Sequence, residues 1–138
     1  MIARNVFFLL VFIAVISCGK DRTGIPDVPV NFFIRLDNPT MQPLNTPGGS
    51  VIIDGHGVAG LIIHRSAFTG YVAFDRCSTV NPEKKCAVAI SSNNPFTATD
   101  PCSKAVFLLE DGSPNPPAEL PLKRYSVSIS NNTIYVSN

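Results

Sequence analysis

Charge of either sign is scarce in this 138-residue chain: 11 Lys and Arg stand against 10 Asp and Glu, and charged residues make up 15% of the whole. With 45% hydrophobic residues beside so balanced a charge, neither a disordered acidic tail nor a basic nucleic-acid surface is indicated. No nucleic-acid partner is expected. Uninterrupted chain is scarce too, because 12 Pro and 9 Gly are spread along the length. That spread disfavours long helices and favours short strands joined by turns. There is no internal repeat and no glycine-rich phosphate loop between a strand and a helix. Ser, His and Asp are present, yet no G-x-S-x-G nucleophile elbow accompanies them. His56, in the turn Asp54-Gly55-His56-Gly57, reads as a solvated turn residue rather than a general base. No catalytic residue is assigned, and the chain is expected not to be an enzyme. Its length suits one domain.

One long apolar run is present. Arg4 precedes Val6 to Ile16, eleven consecutive apolar residues, and Ser17-Cys18-Gly19 follows. At about 1.5 Å rise per residue the run falls far short of a hydrocarbon core of about 30 Å, so it reads as the apolar region of a signal peptide. Val15-Ile16-Ser17-Cys18 has the pattern of a bacterial lipobox, in which cleavage leaves the cysteine as an acylated first residue. The plainer reading is an ordinary signal peptide beside a fortuitous cysteine. We expect a signal peptide over 1–17, a lipidated tether over 18–27 with Cys18 as the anchor, and a folded domain over 28–138. The location implied is a bacterial cell envelope, lipid-anchored to a membrane, with the outer membrane favoured. Several acyl chains on one cysteine suffice for stable attachment where a single chain is marginal.

Short runs rich in Val, Ile, Phe, Tyr and Leu recur between turn signals, as expected of an all-β antiparallel domain. Strands are expected at Val30 to Leu36, Ser50 to Ile53, Gly60 to Arg65, Tyr71 to Asp75, Ala87 to Ile90, Val106 to Leu109, Tyr125 to Ser130 and Thr133 to Val136. No helix is expected. Asn131-Asn132 is a two-residue hairpin signal rather than a glycosylation acceptor. Strict alternation predicts that Tyr125, Val127 and Ile129 face the core while the intervening serines face water. Lys84-Lys85 and Lys123-Arg124 read as solvated basic pairs, and Glu110-Asp111 as a turn.

Asp100-Pro101-Cys102-Ser103-Lys104-Ala105-Val106-Phe107, then Gly112, then Pro117-Ala118-Glu119-Leu120-Pro121-Leu122-Lys123-Arg124-Tyr125, form a more specific pattern. This stretch resembles the second half of a Rieske iron-sulfur domain, which runs C-P-x-H-G-x-x-F, a Gly turn, G-P-A-x-x-P-L-x-x-Y and a terminal hairpin. Upstream, Gly60 to Arg65 and Tyr71 to Cys77 resemble the strands that lead into the family's first ligand loop, C-x-H. The resemblance covers about residues 50 to 138 and extends to Rieske-like envelope lipoproteins of Bacteroidetes. It implies an antiparallel β-sandwich or barrel with a small inserted ligand-loop subdomain.

A Rieske cluster needs two Cys on one iron and two His on the other. The resemblance places Cys77 and Thr79 at the first loop's ligand positions and Asp100 and Ser103 at the second's, so one ligand of four survives. His56 and His64 lie outside both loops. The expectation is therefore no cofactor and no metal, with a 2Fe-2S electron carrier using atypical ligands as the alternative. The resemblance also implies a disulfide between Cys86 and Cys102, as in the family's C-P-C-H arrangement, leaving Cys77 unpaired. Pairing of Cys77 with Cys86 or with Cys102 remains open from the residues alone. Zinc is disfavoured, because no short C-x2-C pairs occur. Thiol redox chemistry at Cys77 needs an exposed thiol of lowered pKa, and burial is the commoner fate. The functional expectation is a non-enzymatic envelope lipoprotein with a structural or protein-binding role at the loop tips.

Overall fold

The computed structural model describes residues 22–138; the expected signal peptide and Cys18 lie outside them. Among the described residues the strands are β1 (Asn31–Arg35), β2 (Ser50–Ile53), β3 (Leu61–Arg65), β4 (Tyr71–Asp75), β5 (Ala89–Ile90), β6 (Thr97–Thr99), β7 (Val106–Leu108), β8 (Arg124–Ser130) and β9 (Thr133–Ser137). They form a six-stranded sheet in the order β1-β9-β8-β4-β3-β2 and a three-stranded sheet in the order β5-β6-β7. All pairings are antiparallel.

Successive side chains on a strand point to opposite faces, so a strand covered on both sides needs apolar residues at every position. Leu61-Ile62-Ile63 and Val72-Ala73-Phe74 meet that need. Leu61, Ile63 and Ala73 join Met41, Leu44, Tyr125, Ile134 and Val136 in one core cluster. Ile62, Val72 and Phe74 join Val88, Ala98, Phe107, Leu109 and Leu122 in another. The β3-β4 hairpin is thus the wall between two cores, and the small sheet packs on its second face.

The Asn131-Asn132 hairpin is present, with both residues at positive φ (48° and 58°), as a two-residue turn of this kind requires. The inward direction expected of Ile129 is not met: this side chain is 47% exposed, while Tyr125 is buried and Val127 half-buried. The reason is coverage. β4 pairs with β8 only at Ala73 with Tyr125 and Phe74 with Arg124, so past Tyr125 one edge of β8 lacks that neighbour, and Ile129 lies at this edge although Ile134, opposite it on β9, is fully buried.

Other departures are local. β6 was not expected, and neither was the 3-10 helix over Pro39–Asn45, whose Asn38 side chain accepts from the Thr40 amide at 3.0 Å. Met41 and Leu44, three residues apart and therefore on one side of a 3-10 turn, are buried there. A second 3-10 turn occupies Pro82–Lys84. The expected strand from Ala87 shortens to Ala89–Ile90, because Ala87 makes an isolated bridge with Cys77. Packing also begins before Val28: Thr23 and Ile25 are buried. Lys123, expected in solvent, is 4% exposed and reaches Asp27 at 2.9 Å and the Pro26 carbonyl at 3.3 Å.

Candidate functional site

Two loops meet at one end of the small sheet. The first leaves β4 and runs from Cys77 to Val88; the second joins β6 to β7 through Asp100 to Ala105. The first is closed by the Cys77–Ala87 bridge and by the Ser78 amide donating to the Cys86 carbonyl at 2.8 Å. Its insertion is an ordered turn: Asn81 and Lys85, both at positive φ (51° and 52°), flank Pro82–Lys84. The second is closed by the Asp100 amide on the Ala105 carbonyl at 2.8 Å and the Lys104 amide on the Asp100 carbonyl at 2.9 Å. Two links join the loops. The disulfide is Cys86–Cys102, with Cα atoms 6.3 Å apart, and the Ser78 hydroxyl donates to Asp100 Oδ2 at 2.7 Å.

Asp100 is buried at the centre of this junction. It also accepts from the Ser103 hydroxyl and from the Cys102 amide, the latter at 2.8 Å. Burial opposes its charge, but the Ser103 and Ser78 hydroxyls and the Cys102 and Ser103 amides outweigh that and hold the carboxyl below its ordinary value. An isolated buried carboxylate would be costly; this one is surrounded by donors.

The four positions expected at cluster-ligand places are engaged in other ways. Asp100 and Ser103 bond to each other. Thr79 donates its hydroxyl to the Leu120 carbonyl at 2.6 Å. Cys77 is a free thiol, fully buried, with its sulfur 3.6 Å from the Pro82 carbonyl. Burial, with Asp75 adding to it, pushes that thiol up to about 11. One thiol, two hydroxyls and one carboxylate do not fit a centre that takes two thiolates and two imidazoles. Neither histidine enters the group. His64, in β3, shares a 2.7 Å hydrogen bond with Ser50 of β2, and burial pushes its pKa down despite the Glu110 carboxylate. His56, expected in solvent, packs edge-on against the Phe32 ring at 5.1 Å.

Several contributing residues were not singled out from the sequence. Asp75, buried behind the first loop, accepts from Tyr125 Oη at 2.8 Å, the Val58 amide at 2.7 Å, the Ala59 amide at 3.2 Å and the Cys77 amide at 2.8 Å. Ser78 links the loops, and Glu110, read as a turn residue, accepts from the Ser66 hydroxyl at 3.0 Å and the Ala67 amide at 2.7 Å. Only Ser78 carried a signal, since it lies between two expected ligand positions. Apart from the Cys77 amide, the partners of Asp75 and Glu110 are far away in sequence. Among the described residues, the one set of metal-ligating side chains within mutual reach is Cys86, Asp100 and Cys102, with ligand atoms no more than 4.8 Å apart.

No family model matches this chain, and no curated protein matches it. Solved structures do. The chain is 22% identical to the cyanobacterial plasma membrane Rieske protein PetC3 from Synechocystis PCC 6803, with a TM-score of 0.55 over 80% of this chain and 98% of that one. It is 21% identical to the ferredoxin of carbazole 1,9a-dioxygenase from Nocardioides aromaticivorans IC177, with a TM-score of 0.49 over 80% of this chain and 97% of that one. Two antiparallel sheets, a small sheet carrying paired loops and a disulfide between those loops give this chain a Rieske-like β-sandwich fold.

Proposed function

We propose that this chain is a Rieske-like domain without an iron-sulfur cluster, anchored to a bacterial envelope membrane by an acylated Cys18, and that its disulfide-stapled tip is a non-enzymatic docking surface for another envelope protein. The supporting observation is the commitment of the ligand positions. Asp100 accepts from Ser78, Ser103 and the Cys102 amide, Thr79 is bonded to Leu120, and Cys77 is buried as a neutral thiol. Each group that would face iron faces protein instead. An electron carrier with atypical ligands is less well supported, because it needs the Cys86 and Cys102 sulfurs that the disulfide consumes.

The segment that follows the anchor runs beside the tip. A Cβ on Gly24 would lie 3.5 Å from the Pro82 ring of the first loop, so the N-terminal segment passes beside the tip. Cys18 precedes Thr23 by five residues. At no more than about 3.6 Å per residue, the acylated cysteine stays within roughly 18 Å of the buried Thr23. The docking surface is then close to the membrane, and its partner belongs there too.

The deciding experiment is iron and acid-labile sulfide analysis, with a visible spectrum, on the full chain purified without oxygen. Colourless protein with neither element is expected; about two irons and two sulfides per chain would overturn the reading. Deleting 81–85 is expected to remove a co-purifying membrane partner while leaving the circular dichroism unchanged, and unchanged partners would count against docking. Cys18→Ser is expected to move the chain from the membrane fraction to the soluble fraction.

A further inference from the structure

We infer that the tip is a reductively opened site for a thiophilic divalent cation, Zn2+, with Cys86 Sγ, Cys102 Sγ and one oxygen of Asp100 as ligands. The ligand atoms of these residues lie within 4.8 Å of one another. Around a tetrahedral zinc, bond lengths of roughly 2.0–2.3 Å place neighbouring ligand atoms about 3–4 Å apart. The site is therefore nearly assembled while the sulfurs are still bonded to each other, and small movements complete it.

Three features make reduction productive rather than destructive. Cys102 is exposed and Cys86 half-buried, so a reductant reaches the bond. The loops are held together independently of it by Ser78 Oγ on Asp100 at 2.7 Å, and each is closed on itself, the first by the Ser78 amide on the Cys86 carbonyl at 2.8 Å and the second by the Cys102 amide on Asp100 Oδ1 at 2.8 Å. The cysteines stay adjacent once cleaved. Finally, an oxygen of the buried Asp100 lies within 4.8 Å of both sulfurs, so the opened bond leaves three donor atoms around one point.

The chemistry balances as follows. A dithiol reductant transfers two electrons to the Cys86–Cys102 bond, which breaks to give two thiols, while the reductant closes to its own disulfide. Zn2+ then forms two Zn–S bonds and one Zn–O bond, and the two thiol protons leave to solvent. Water takes the fourth position. The site uses neither Cys77, Thr79 nor Ser103, and it stands whether or not the tip docks a protein.

The test uses the full chain in detergent, reduced with dithiothreitol and freed of it by gel filtration without oxygen. Zn2+ is titrated against a chromophoric chelator, and Co2+ is used for a visible spectrum. One Zn2+ per reduced chain and none on the oxidised chain are expected, with a thiolate-to-cobalt charge-transfer band and tetrahedral d–d bands. Asp100→Asn is expected to weaken binding at least tenfold, and Cys77→Ala to leave it unchanged. Equal binding by oxidised and reduced chains, no binding by either, or loss in Cys77→Ala overturns the inference. Should Asp100→Asn fail to fold by circular dichroism, Cys102→Ser decides: a folded variant that binds like reduced wild type overturns the site, and one that does not bind supports it.

Discussion

The Tyr125 hydroxyl donates to Asp75 Oδ2 at 2.8 Å, joining residues 50 positions apart inside the core. The same carboxylate takes the Cys77 amide at 2.8 Å, so β8 is tied through Asp75 to the root of the first loop. The turn that supplies the Val58 and Ala59 amides comes in close: Gly57 sits at φ +66°, and a Cβ there would collide with the Asp75 carboxylate and approach Tyr125 Oη to 3.0 Å.

Tyr125→Phe removes one donor from a buried carboxylate and keeps the ring. The expected cost is about 1.5–3 kcal/mol, the range for a hydrogen bond to a charged acceptor. Gly57→Ala, which combines the collision with an unfavourable φ, is expected to cost more than about 1 kcal/mol. Urea denaturation of both variants checks this, and a Tyr125→Phe midpoint equal to wild type removes the hydrogen bond from the account.

Stability should fall in two steps as the medium is acidified. Burial lowers the His64 pKa from 6.5, so the unfolded chain takes up that proton first; stability is whole above 6.5 and is lost as pH falls through the folded value. Asp100 is held below 3.8, so its contribution is present above 3.8 and is lost as pH falls through its lower folded value. Urea midpoints measured from about pH 8 to about pH 2 should show both losses. His64→Leu should remove the upper one and Asp100→Asn should reduce the lower, to which Asp27, Asp37 and Asp111, also held below 3.8, contribute; profiles unchanged by these variants contradict the assignment.

Removing the Cys86–Cys102 disulfide, whose residues are 16 apart, should cost about 3 kcal/mol if the bond acts mainly on the unfolded chain. The Cys86→Ser/Cys102→Ser chain should still fold, because Ser78 and Asp100 continue to join the loops. Hydrogen exchange should then quicken at the Ser78 and Lys104 amides while β3 and β4 stay protected.

Cys77 should resist alkylation. Its pKa of about 11 leaves it neutral near pH 8, and it is buried as well. Mass spectrometry after iodoacetamide treatment should show no label on Cys77 in the native chain and full label in denaturant. Rapid native labelling would revive thiol redox chemistry at this position.

Periodicity made most of the strands legible, because Leu61-Ile62-Ile63 and Val72-Ala73-Phe74 are apolar at every position and the turns between strands carry Gly or Asn. β6 was not legible: Thr97-Ala98-Thr99 is too short to show a period, and it is a strand because β5 and β7 flank it. The helix at Pro39–Asn45 carries a local signal, Asn38 before Pro39 with Met41 and Leu44 three apart, but is too short to show a helical period. Ile129 continues the alternation of Tyr125 and Val127, but alternation records which face a side chain takes and not whether anything covers that face.

From the residues alone came the all-β class and the Asn131-Asn132 hairpin, and the family resemblance implied the paired loops and the shortage of cluster ligands at Cys77, Thr79, Asp100 and Ser103. These are local or countable properties. The tertiary structure decided which cysteines pair, that Asp100 is a buried hydrogen-bond acceptor joined to Ser78, that Asp75 holds Tyr125 and Cys77 together, and that Lys123 is buried against Asp27. Each depends on groups distant in sequence arriving within about 3 Å, which only the packing of the two sheets brings about.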